Sequence, residues 1–156
     1  MAHAYFSEIN SEGVVLKTVV ADENDVLANG GNGSEQAANY FKSIAPLSVN
    51  GVKWVQTFKD GTRGVYAGTG DIYNEEHDIF CETQIYASWT LNTTTGKYEA
   101  PVAQPTPPTN GHLSWDEDNQ QWKSTKYIPD DLTEDNDTML DPPEVKIWNP
   151  SNSTWE

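Results

Sequence analysis

Four pairs of large apolar residues, each pair seven positions apart, govern what this chain can fold into: Tyr73 with Phe80, Leu91 with Tyr98, Trp115 with Trp122, and Trp148 with Trp155. An Asn or Asp directly follows the first member every time, as Asn74, Asn92, Asp116 and Asn149. If residues i and i+7 face each other across an antiparallel pair, i+1 opposes i+6 and four residues remain for the turn. Side chains directly opposite one another project from the same face with Cβ atoms about 4.5–5.5 Å apart. The two rings then touch, adding roughly 0.5–1.5 kcal/mol beyond the area they bury. The Asn or Asp accepts hydrogen bonds from backbone groups two residues on and so starts the turn. Gly96 and Pro150 suit the same turn chemistry. Each copy therefore reads as a minimal β-hairpin closed by a ring clasp.

A hairpin alone is marginal in water. Its rings need cover from another hairpin, another subunit, a larger assembly, or the N-terminal part of the chain. Docking on a partner is the favoured expectation, because the stretches between copies are so unlike core. The candidate partner-binding residues are Tyr73, Phe80, Trp89, Leu91, Tyr98, Trp115, Trp122, Trp148 and Trp155.

The N-terminal part carries ordinary signals for a small α+β domain, residues 1–70. Tyr5 to Ile9 and Val14 to Val20 are rich in β-branched and aromatic residues, and the polar stretch between them ends in Gly13, which predicts a hairpin. Asp22 to Gly33 is polar and Gly/Asn-rich, hence a loop. Ser34 offers an N-cap oxygen, and Ala37, Ala38, Phe41 and Ile44 recur at helical spacing, so the spacing predicts one short helix over 35–44. Pro46 limits its continuation. Val52 to Phe58 reads as a strand with Trp54, Gln56 and Phe58 on one face and Val55 and Thr57 on the other. Asp60-Gly61 marks a turn, from which 63–67 would return as the partner strand.

The remainder divides by the same logic. Residues 71–100 hold two aromatic hairpins, 101–112 a Pro-rich linker, 113–127 the third hairpin, 128–146 an acidic linker, and 147–156 a C-terminal hairpin clasp. The fold class is thus mainly β: a small α+β unit with one short helix, then tandem hairpins and extended linkers.

Composition narrows function. Apolar residues make up only 36% of the 156, yet they include six Trp, seven Tyr and four Phe, which can make small, flat cores. Twenty-four acidic against nine basic side chains give a net charge of −15. Such a surface repels nucleic acid and anionic membranes. No stretch approaches the roughly 20 apolar residues of a membrane span. The start, Met1 to Phe6, lacks a basic region followed by an apolar run, so a chain made in the cytoplasm without a secretory signal is expected.

Chemistry is hard to find. Cys81 follows Ile79-Phe80 with no Lys or Arg beside it and is expected to be a small packed residue on a strand. His3, His77 and His112 lack partners at metal-ligand spacing. The acidic run 129–137 prompts a calcium reading, but it lacks the alternating acids and Gly of an EF loop, and a solvated linker is the expectation. The glycines around Tyr66 lack the Lys-Ser/Thr ending of a phosphate loop, and no serine sits in a nucleophile elbow. No catalytic residue, cofactor or metal is expected.

Tyr5 to Asn10, Gly13 to Leu16, Trp54 to Thr57, Tyr66 to Tyr73, Ala87 to Asn92, Tyr98 to Val102 and Trp115 to Glu117 together resemble a group of small virion structural proteins from tailed phages of marine bacteria. The likeness runs in order over about residues 4–122. Family members often carry a Cys and a Phe-Gly-Gly after the helix, where this chain has Tyr40 to Pro46. The resemblance implies a particle component without enzymatic activity. With the acidity, it suggests a capsid-decoration or other exterior accessory protein, present in multiple copies and docked on capsid or tail subunits. A tail, neck or fibre-attachment component would use the same docking. A carbohydrate-binding module, stacking sugars on Trp and Tyr faces, is the reading from another class.

Overall fold

The computed structural model describes residues 2–130 and 139–156. The chain is mainly β, with two helices and several small antiparallel sheets. It divides into two compact units, residues 1–84 with 91–98, and residues 85–90 with 99–156.

The first unit is built on a three-stranded sheet. β1 (His3–Ile9) lies between β2 (Val15–Asp22) and β3 (Lys53–Thr57) and is antiparallel to both. The predicted hairpin of β1 and β2 forms. In its turn the Asn10 side chain accepts bonds from the backbone N–H groups of Glu12 and Val14, each at 2.9 Å. Two helices follow, α1 (Glu23–Ala28) and α2 (Glu35–Ile44). α2 has the predicted bounds, and its Ser34 cap accepts from the N–H of Ala37 at 3.0 Å. α1 corrects the expectation of a loop over 22–33. Asp22 caps it, and its single buried side chain is Val26, too little apolar patterning to read in advance.

Strand alternation gives the sheet two buried faces. Ala4, Phe6 and Trp54 join Val26, Ala37 and Phe41 on the helical side. There Phe6 stacks on Phe41 at 4.6 Å, and Phe41 meets Trp54 edge-on at 5.1 Å. The Trp54 indole N–H donates to the carbonyl of Ala45, at the end of α2. Ile9, Val15 and Val55 pack on the opposite side with Ala67 and Phe80. Trp54 and Val55 therefore face apart as the alternation predicts, whereas Phe58 lies beyond the end of β3.

One buried charge belongs to this unit. Glu8 is fully covered, accepts from the backbone N–H and hydroxyl of Ser48, and pairs with Lys17 at 3.0 Å. Burial alone would raise its pKa, but the Ser48 and Lys17 bonds outweigh burial and hold the carboxyl below its ordinary range.

Two expectations fail here for related reasons. Residues 63–67 do not return as a strand beside β3, which stays at the edge of the sheet with β1 on its other side. Instead Arg63 and Val65 bond across to Phe80, with the Phe80 N–H donating to Arg63 and the Val65 N–H to Phe80, each at 3.0 Å. Nor does the unit end near residue 70, because Phe80 is wholly buried in its core. Both hairpins expected as a separate 71–100 module, β4 (Ile72–Asn74) with β5 (Ile79–Cys81) and β6 (Thr90–Asn92) with β7 (Lys97–Glu99), fall mainly within the first unit.

The second unit is a four-stranded antiparallel sheet in the order β11-β10-β9-β8, from β8 (Gly111–Asp116), β9 (Gln121–Lys126), β10 (Glu144–Asn149) and β11 (Thr154–Trp155). Glu144 to Ile147 pair with Lys123 to Lys126. The last hairpin is thus no tethered clasp, and 144–146, expected in the acidic linker, are strand. Most of the run 129–137 lies outside the described residues.

Candidate partner-docking site

All four ring pairs sit on paired antiparallel strands. Tyr73 opposes Phe80, Trp115 opposes Trp122, and Trp148 opposes Trp155, while Leu91 and Tyr98 occupy the middles of β6 and β7. Ring centroids lie 5.1, 5.2 and 5.3 Å apart in the three aromatic pairs. The turn chemistry repeats as well. The Asn or Asp side-chain oxygen accepts from His77 N–H at 3.1 Å, Thr94 N–H at 2.9 Å, Asn119 N–H at 3.3 Å and Ser151 N–H at 3.1 Å respectively.

A further regularity escaped the sequence reading. The residue five places after the first ring has positive φ in every copy: Asp78 at 52°, Gly96 at 72°, Gln120 at 50° and Ser153 at 57°. Only Gly96 advertises that conformation by its type. Gly96 is required twice over, since a Cβ there would stand 2.0 Å from the Phe80 carbonyl oxygen. Its own carbonyl accepts from the Glu82 N–H at 2.8 Å, which seats the turn of the second hairpin against the first.

Cover for the rings differs between copies. Phe80 is fully buried, and Trp115 and Trp122 are only 6% and 5% exposed. These three residues, expected among the partner-binding set, are covered by the chain's own fold. The correction has a simple cause: each hairpin finds a neighbour within its own unit. For Phe80 the neighbours are Ile9, Val15, Val55 and Ala67. For the tryptophans they include Trp89, whose ring lies 6.1 Å from Trp115 and 5.9 Å from Trp122 and also touches Tyr86 at 5.1 Å. Tyr73, Trp89, Leu91, Tyr98, Trp148 and Trp155 are half-buried.

Glu117 organises the second unit and was not foreseen. Its carboxylate accepts from the Ser88 N–H at 2.8 Å, the Ser88 hydroxyl at 2.7 Å and the Trp115 indole N–H at 2.8 Å. The Ser88 bonds, with help from Trp115, hold its carboxyl below the ordinary range. The loop carrying Trp89 is thereby tied to the turn of the third hairpin.

The Pro-rich stretch expected as a linker is also engaged. The Trp122 indole N–H donates to the Val102 carbonyl at 2.8 Å, and that of Trp155 to the Thr106 carbonyl at 2.9 Å. Pro105, between them, is buried. The segment 101–108 is therefore a strap over the sheet.

Groups with chemical potential are tied up structurally. Cys81 is buried on β5, and burial pushes its thiol pKa up, away from the reactive thiolate. Arg63 donates to the carbonyls of Gln56 and Gly33 and pairs with Asp78 at 2.9 Å, while the Tyr73 hydroxyl donates to the same Asp78. Among the described residues, no three His, Cys, Asp or Glu side chains converge to hold a metal ion. No helix among them is long and apolar enough to cross a membrane.

No protein-family model, curated protein or solved structure matches the chain. Function rests on its own geometry.

Proposed function

We propose that this chain is a non-enzymatic structural component of a tailed-phage particle, an exterior accessory protein present in many copies. It joins neighbouring capsid or tail subunits through the two hairpins whose rings its own fold leaves half covered, Leu91–Tyr98 and Trp148–Trp155. The observation that carries the reading is that one hairpin design serves four times: both large residues are buried in the third copy, only Phe80 is buried in the first, and neither is buried in the second and fourth. Tyr and Trp side chains such as Tyr98, Trp148 and Trp155 are enriched among the anchors of protein interfaces.

The acidity of the chain supports an outward position, away from packaged nucleic acid. A tail or neck position would use the same hairpins. Sugar stacking on the third hairpin is disfavoured, because Trp115 and Trp122 turn their faces to the chain's own residues. Quantitative mass spectrometry of purified particles, made from a genome that encodes this chain, tests the proposal. The expected result is a copy number in fixed ratio to the major capsid or tail protein. Purified particles in which the chain is absent, or present only in traces with no fixed ratio to the major proteins, would overturn it.

A further inference from the structure

The second unit buries one hydroxyl that its own groups do not use. Ser124, on β9, is 1% exposed, and among the described residues none bonds its Oγ. A buried polar atom left without a partner costs stability, so it invites a group from outside the chain.

Strand register supplies its surroundings. Across β9 and β10, Ser124 opposes Lys146 and Lys126 opposes Glu144; across β8 and β9, Gly111 opposes Lys126. Residues directly opposite or two apart along a strand share a face. Ser124, Lys126, Lys146 and Glu144 therefore project together, and Gly111 adds no side chain to them. A Cβ at Gly111 would stand 2.1 Å from the Ser124 Oγ, so only glycine leaves that hydroxyl its room. With Asp130, these residues line a cavity of about 220 Å³. Sites for drug-sized ligands run to roughly 300–1,000 Å³, so this one suits a small ion or a single terminal group.

Charge is layered within the cavity. The Lys126 side chain is 14% exposed, whereas its partner Asp130, at 2.7 Å, is 61% exposed. Lys146 pairs with Glu144 at 3.2 Å, both of them partly exposed. The best-covered charge is thus a donor, and the carboxylates lie nearer solvent. An ammonium carries three N–H donors, and Asp130 occupies one of those on Lys126. Ion pairs with exposed carboxylates contribute little, so both lysines can turn to a better acceptor. Two of the chain's nine basic side chains meet here beside an unused hydroxyl. We infer that this cavity binds a small oxyanion of the phosphate or sulfate type, with Ser124 Oγ and the Nζ atoms of Lys126 and Lys146 donating to its oxygens. Glu144 stands beside both lysines and weakens the hold on the ion. The inference goes beyond the particle reading and does not depend on it.

The probes are inorganic phosphate and glycerol phosphate, titrated into the full chain with chloride at matched ionic strength as the control. Saturable one-site binding by calorimetry is expected, with a matching rise in the thermal midpoint. Binding of inorganic phosphate alone identifies a free ion; binding of both identifies a phosphoryl group that a larger molecule can present. Lys126→Met and Ser124→Ala should each weaken binding about tenfold. Glu144→Gln should tighten it, because a carboxylate beside both lysines is gone. Ser124→Ala also separates a ligand role from a structural one. It removes a hydroxyl that no protein group among the described residues uses, so its midpoint without phosphate should match or exceed that of the wild type, while the rise on adding phosphate shrinks. No saturable binding at millimolar concentrations, a response that chloride reproduces, or equal binding by Ser124→Ala and wild type would overturn the inference.

Discussion

Asn74, Asn92, Asp116 and Asn149 start four turns by the same bond, a side-chain oxygen accepting from a backbone N–H two or three residues on. Asn149→Ala should cost about 1 kcal/mol in chemical denaturation, the usual net value of such a bond. Gly96→Ala should cost more, about 2–3 kcal/mol, since it combines a strained φ with a clash against the Phe80 carbonyl. Two carboxylates make pH predictions. Glu117 has a depressed folded pKa, so its contribution is complete above the ordinary carboxylate range of about 4.3 and fades as pH falls through the depressed value. Acid titration should therefore release the Ser88 amide and Trp89 fluorescence before global unfolding; a signal flat down to unfolding would contradict that role. For Glu8 the sign is the same. Lys17→Met should destabilise by about 1–3 kcal/mol at neutral pH, and by less near pH 4, where the carboxyl can take a proton instead of a cation. The cap residues and ring spacing were legible because they depend on local geometry. Glu117 was not, because its partner Ser88 is 29 residues away in an acidic chain where one more carboxylate carries no signal.

At the scale of elements, the hairpins and α2 were readable because their patterns are short and periodic. α1 was missed because six residues with one buried side chain offer no period. The expected return strand over 63–67 failed for a different reason. The turn at Asp60-Gly61 is real local chemistry, but Phe80, far along the chain, supplies a better partner for Arg63 and Val65 than β3 does. Tertiary pairing overrode a plausible local choice. The C-terminal hairpin shows the same lesson, since β10 joins β9 through residues separated by an acidic stretch that reads as a spacer. Trp148→Ala should therefore lower the stability of the second unit by about 1–2 kcal/mol, through loss of the ring contact and some burial. Deleting 147–156 should disturb that whole sheet rather than remove an appendage. Thermal unfolding by tryptophan fluorescence distinguishes the two: an unchanged transition after the deletion would mean that the Trp148–Trp155 hairpin adds nothing to the sheet.

For the whole molecule, two small units with aromatic cores replace the single domain and string of hairpins that the sequence suggested. The boundary was illegible because the chain crosses between units at residues 84–85, 90–91 and 98–99, so neither unit is continuous in sequence. Composition did convey the scale of the cores, since a few large rings make up much of what is buried. The central functional claim is that the Leu91–Tyr98 and Trp148–Trp155 hairpins are sheltered by other subunits. A density map of the intact particle at side-chain resolution tests it most directly. The account predicts this chain on the outer surface with both hairpins against neighbouring protein. A map in which the chain is present but both hairpins face open solvent would contradict it.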